Sequence, residues 1–209
     1  LVGSEMCIRD RPYLLVANSL GEDWAAAPLD GLEPALERGL TGRAPNDLDV
    51  AGDRLYIVNS LDNNISVVDL ITGRTDACIA LGDNVSPWEF VADPLEATRG
   101  WVTGWVSGEL IELDLATHRV ARRADAGPGA EGVLVTKDHV AVTLSGYDGA
   151  ENTYENGAVV VFDKTTLVEV ARLAVPPNAQ FIFTGADGRH HVVCTGNYVD
   201  VFGQVVRIE

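Results

Sequence analysis

Short apolar runs recur along the chain, each closed by a polar turn. The clearest passage is residues 54–74, apolar at 55–58 and again at 65–70, with Asp62, Asn63 and Asn64 between. Asn and Asp tolerate left-handed backbone and bond their own main chain, so the passage predicts strand, turn, strand. Thr72-Gly73-Arg74 turns the chain once more. No stretch keeps helical periodicity. Residues 32–40 come nearest, but the segment is short and contains Pro34, so an irregular outer strand is expected there.

The passage repeats. Residues 65–74 align without a gap on 110–119, and further copies lie at 139–144 with 157–166 and at 191–195 with 203–209. With Asn18, Asn59, Gly104, Thr143 and Thr195 as markers, the spacings are 41, 45, 39 and 52. Each unit also opens with an entry segment, at 45–50, 87–91, 130–135 and 178–183. A period of about 40–45 residues with four short strands predicts the blade of a propeller, the entry segment being its innermost strand. The middle strands are apolar throughout because stacked blades bury both faces. A single blade could not do so, and stability must come from neighbours.

Residues 55–60 followed by 65–70, with Pro45-Asn46-Asp47-Leu48 and Pro87-Trp88-Glu89-Phe90-Val91 as entries, closely resemble the YVTN-type β-propeller repeat. The resemblance implies an all-β propeller of four-stranded antiparallel blades, in proteins that are commonly seven-bladed and extracytoplasmic. The expected layout is about four blades and a partial fifth over 12–209, part of a larger propeller. Leu1 to Arg11 resembles a translated sequencing adapter and is set apart as a non-native segment.

Composition narrows the function. A net charge of −16 excludes a phosphate-neutralising nucleic-acid footprint and an anionic membrane surface. No apolar run reaches membrane-spanning length, so no membrane insertion is expected. Cys7, Cys78 and Cys194 have no metal-type spacing, and Cys78 and Cys194 are expected to be buried.

Propeller topology puts the loops between second and third strands on one rim, here the upper, together with the links between blades. The longest insertions fall there: residues 145–156, with Tyr147 and Asp148, and residues 196–200, with Asn197 and Tyr198. Asn59, Asp62 and Trp105 lie near the same rim, and the channel mouth is expected to carry Asn46, Asp47, Trp88, Glu89, Glu131 and Asn178. Asp47, Glu89 and Glu131 are expected at matching positions. Trp101, which matches Tyr56, is expected to pack between blades, and Trp105 to be the exposed one of the pair. His118, His139, His190 and His191 fall on the opposite rim, which argues against nucleophile–histidine chemistry.

The expectation is a binding or interaction scaffold for an unknown protein or small-molecule ligand. The alternative is a propeller enzyme, lactonase-like or quinoprotein-dehydrogenase-like. No catalytic residue and no cofactor is expected. Calcium on Asp148, Glu151, Asn152 and Glu155 is the metal alternative, although their spacing fits no EF-hand. Open blade edges are expected to favour self-association.

Overall fold

The computed structural model describes residues 13–29 and 37–208. The adapter-like segment and most of 32–40 lie outside them. The end of that second stretch, Glu37–Leu40, is a strand, as the pattern predicts.

The described residues form antiparallel sheets and no helix. The first sheet is β1 (Tyr13–Asn18), β2 (Asp23–Pro28) and β3 (Glu37–Leu40). The second is β4 (Pro45–Ala51), β5 (Arg54–Asn59), β6 (Asn64–Asp69) and β7 (Arg74–Ala80). The third is β8 (Pro87–Ala92), β9 (Arg99–Gly104), β10 (Glu109–Asp114) and β11 (Arg119–Asp125). The fourth is β12 (Ala130–Val135), β13 (His139–Leu144), β16 (Gly157–Asp163) and β17 (Glu169–Val175). Between its second and third strands it carries a small hairpin, β14 (Tyr147–Asp148) with β15 (Thr153–Tyr154). The fifth is β18 (Ala179–Thr184), β19 (His190–Cys194) and β20 (Gln204–Ile208). Each sheet is a blade, and the innermost strands β4, β8, β12 and β18 contact one another in sequence.

Alternation along the second strand explains the unbroken apolar runs. In β5, Leu55 and Ile57 pack with Trp24 and Ala26 of the first blade. Tyr56 and Val58 face the other way, against Phe90, Val102 and Ile111 of the third. Tyr56 and Phe90 stack with centroids 4.9 Å apart. Trp101 is fully buried in the cluster shared with the fourth blade, as its match to Tyr56 predicts.

The repeated Asp-x-x-Thr turn is built the same way three times. Asp69, Asp114 and Asp163 each accept two amides of the turn that follows; bonds from that turn, led at Asp114 by the Thr117 side chain, hold all three carboxyls below the usual range. The residue closing the turn is left-handed each time: Gly73, His118 and Leu167.

Two sequence expectations need correction. Pairing aligns Asn59 with Gly104, Leu144 and Cys194, so the markers Thr143 and Thr195 are each one residue out, in opposite directions. Cys78 is exposed, because it lies on the outermost strand of its blade, where few residues are covered; Cys194 is buried, and both are free thiols.

Candidate functional site at the upper rim

Every innermost strand enters through a left-handed residue: Ala44, Ser86, Gly129 and Asn178. Each then makes a bulge at the same place, between Pro45 and Asp47, Pro87 and Phe90, Ala130 and Val133, and Ala179 and Phe181. A bulge adds a residue and re-aims side chains, and bulges cluster beside functional sites. The bulges carry Asn46 and Asp47, Trp88 and Glu89, Glu131 and Gly132, and Gln180 and Phe181. Glu131 is therefore the counterpart of Asn46 and Trp88, one position before Asp47 and Glu89. The three acids are not equivalent: the strands bulge alike, and Glu131 stands one residue nearer the start of its strand.

Asp47 and Glu89 span the gaps between blades. Asp47 Oδ2 accepts Phe90 N at 2.9 Å and Asp49 Oδ2 accepts Ala92 N at 2.9 Å. Glu89 takes the amide of Val133 in the same way. Adjacent innermost strands diverge and cannot pair, so these carboxylates satisfy edge amides that would otherwise lack partners. Burial pushes Asp47 up to about 6. Burial, then the charge of Asp47, pushes Glu89 up to about 8.

Glu131 is set differently. Its Oε1 accepts Trp105 Nε1 at 3.2 Å and its backbone carbonyl accepts the Thr103 hydroxyl. Burial pushes its carboxyl up to about 7, although Ser145, Trp105 and Gln180 favour the ionised form. Its Oε2 is buried and lacks a hydrogen-bond partner. Asn178 is fully buried; its Nδ2 donates to Tyr198 Oη at 3.1 Å, and its Oδ1 is likewise unpartnered. Such atoms cost roughly 1–3 kcal/mol each.

Around this floor stand five aromatic rings. Trp88 lies 6.2 Å from Trp105, Trp105 lies 5.5 Å from Tyr147, Tyr147 lies 5.2 Å from Tyr154, and Tyr154 lies 5.8 Å from Tyr198. Successive interplanar angles of 32°, 32°, 50° and 80° exclude a flat platform. The β14–β15 hairpin brings Tyr147 opposite Tyr154. It closes at Gly146, where a Cβ would stand 2.7 Å from the carbonyl oxygens of Glu155 and Asn156. Burial pushes the Tyr154 phenol up, and the charge of Glu131 adds to it, so floor and wall share one electrostatic environment.

The remaining candidates make contacts within the scaffold. Asn59 is fully buried, donating from Nδ2 to Asn64 and Ser66. Asp62 pairs with Arg43 at 2.6 Å. Asn63 Oδ1 accepts the amides of Val85 and Ser86, and the Ser60 hydroxyl donates to Pro87 O, so this turn latches the second blade to the third. Asn46 Nδ2 donates to Trp88 O at 2.8 Å. Asn197 Oδ1 accepts three amides of its own loop, from Val199, Asp200 and Val201. Asp148 caps its turn through Ala150 N, and Glu151 and Glu155 are exposed. Among the described residues no group of three or more His, Cys, Asp or Glu side chains converges as a metal site.

Sequence reading missed Tyr154 and Gln180. Tyr154 lies seven residues after Tyr147 in one insertion, a spacing that reports a hairpin only once the two strands are known to pair. The opposite rim has a cleft of about 420 Å³ between the fourth and fifth blades, lined by Leu134, Ala141, Val161 and Ile182 with His139 and His190. None of the unpartnered buried polar atoms among the described residues lies there.

No family model matches the chain, and no curated protein is significantly similar to it. Solved structures share its fold. The chain resembles hydrazine synthase of Kuenenia stuttgartiensis with a TM-score of 0.74 and 18% identity, over 94% of this chain and 62% of that one. It resembles a Bacteroides uniformis protein assigned as a 6-phosphogluconolactonase with a TM-score of 0.75 and 14% identity, over 96% and 65%. The fold is a β-propeller. A dihydro-heme d1 dehydrogenase, NirN, gives 0.60 and 21% over 78% of this chain and 35% of its own. The chain thus spans less than two thirds of the length of each of these propellers.

Proposed function

We propose that this protein is a ligand-binding propeller that captures a small molecule or a partner segment at the upper-rim cup, without catalysis. One observation carries the reading: two buried, unpartnered polar atoms, Glu131 Oε2 and Asn178 Oδ1, lie beneath a five-ring aromatic wall. Cores do not leave such atoms unsatisfied without a reason, and convergent polar groups beneath apolar walls are how ligand sites are built. The cup draws on the third, fourth and fifth blades, so ligand binding also ties blades together. The likeness of residues 54–74 to the YVTN repeat supports an extracytoplasmic setting. No helix among the described residues is long and apolar enough to cross a membrane.

Trp88 and Trp105 report on the cup directly. A ligand panel spanning sugars, amines, carboxylates and short peptides should contain a class that shifts their emission. The response should vanish in Trp105→Ala and Glu131→Ala while the far-ultraviolet circular dichroism is unchanged. A panel that leaves the emission unmoved would count against the reading.

Glu89 near 8 and Glu131 near 7 support a second reading, a propeller enzyme. Such values suit general acid–base work at neutral pH. The similarity to a protein assigned as a lactonase makes lactone hydrolysis the first assay. Turnover abolished by Glu89→Gln would replace the binding reading. Calorimetry with calcium separates the metal-dependent form, which requires heat at millimolar calcium.

A further inference from the structure

The cup joins aromatic faces to carboxylates that have no cationic partner. Among the described residues no Lys or Arg forms an ion pair with Asp47, Glu89 or Glu131. Arg43 pairs with Asp62, and Arg123 with Glu109 and the Leu81 carbonyl. The acids meet one another instead, since Asp47, Asp49 and Glu131 all oppose the charge on Glu89. Without a ligand, burial favours the protonated forms of these carboxyls, and a cation seated beside them is what most stabilises the ionised form. The aromatic faces add to that preference, because the ring quadrupole presents its negative face to a positive charge.

Resting on the rim-cup reading, we propose that the ligand is an organic ammonium ion, its alkylated nitrogen held against Trp105, Tyr147, Tyr154 and Tyr198 and facing Glu131. Ring geometry separates this from a sugar site. Sugars favour broad coplanar platforms, whereas these rings turn through 32° to 80° from one to the next. Glu131 Oε2 supplies the counter-charge. Asn178 Oδ1 is a second acceptor, suited to a donor elsewhere on the ligand. Tyr198 is 70% exposed yet held by Asn178 and Thr195 through its hydroxyl, so this end of the ring series faces solvent.

Choline and its neutral isostere 3,3-dimethyl-1-butanol test the assignment on the full chain, read by tryptophan emission and by calorimetry. Choline should bind about 10-fold or more tighter than the isostere, the magnitude of a partly desolvated cation–π contact. Glu131→Gln should weaken choline by a similar factor and leave the isostere unchanged. Thermal unfolding of the variant without ligand should show that the fold is retained. Equal binding of the two probes, or choline binding indifferent to Glu131→Gln, overturns the proposal. So does silence toward choline at millimolar concentration. If a neutral sugar or a peptide of the wider panel then shifts Trp105, only the charge assignment falls; if nothing does, the rim-cup reading falls with it.

Discussion

Lys164 Nζ lies 2.6 Å from Asp93 Oδ2, and both side chains are almost sealed from solvent. Lys164 follows the third strand of the fourth blade and Asp93 follows the first strand of the third, so the pair joins neighbours. Asp93 also accepts Trp101 Nε1 at 3.3 Å and the amide of Leu95 at 3.0 Å. A second junction lies beside it: Glu112 accepts Arg99 Nε and Arg122 Nε, each at 2.6 Å, and Arg122 reaches on to the carbonyl of Thr165. Apolar stacking brings the blades together, and these charged contacts join the third to the fourth.

Removing one member of the Lys164–Asp93 pair should cost more than removing both. Lys164→Met leaves a buried carboxylate without its cation, and a loss of about 3–5 kcal/mol is expected by urea denaturation. Lys164→Met combined with Asp93→Asn should recover part of that. Burial alone would raise the Asp93 carboxyl, but the bonds from Lys164, Leu95 and Trp101 and the charge of Lys164 together outweigh it, and the group sits below its usual value. Its stabilisation is therefore present above the unfolded-state value of about 3.9 and lost as pH falls further. Asp93→Asn should flatten the acid limb.

The cup acids carry the opposite sign. Glu89, held up at about 8, keeps its proton in the folded state at pH values where the unfolded chain has lost it. Stability without ligand should fall as pH rises from about 5 to 8, and Glu89→Gln should remove much of that slope, gaining on the order of a few kcal/mol at the alkaline end. Melting curves across the pH range check this; a wild-type melting temperature that rises through the window would contradict it.

Phe90 fills the seam between the second and third blades, 1% exposed and stacked on Tyr56. Phe90→Ala should destabilise by about 3–5 kcal/mol. Because the seam lies below the rim, the spectrum of Trp105 in the folded variant should not change.

The outward face of the fifth blade carries an apolar row. Phe181 pairs with Val193 and Val193 with Val205, and Phe181 and Val205 are 52% and 62% exposed. Phe183, two residues on, lies on the same face, 45% exposed. Multi-angle light scattering should show concentration-dependent association, and Phe181→Ser with Val205→Ser should reduce it. A monodisperse monomer at high concentration would remove this prediction.

Much of the fold is legible because it is local and repeated. The strand–turn–strand of residues 54–74 and the Asp-x-x-Thr turns follow from side chains that bond their own backbone. That information sits within a few residues and recurs with each blade. The rim also followed, because alternating strands assign loops to ends. Individual roles did not. Asn59 and Asp62 read as an accessible polar turn, but Asn59 is buried against Ser66 and Asp62 is paired with Arg43, partners chosen by packing. Glu131 was expected to match Asp47 and Glu89, but strand pairing sets it level with Asn46 and Trp88, one residue earlier.

By itself, the sequence determined the repeat, its strands and the faces they bury, because apolar alternation and turn chemistry act over short range. Only the tertiary structure decided which acids bridge blades and which one keeps an oxygen without a partner, and that Trp88, Trp105, Tyr147, Tyr154 and Tyr198 form one wall. Those residues come from separate blades, and their distances are set by how blades stack and where bulges turn the chain. No short window of sequence records either.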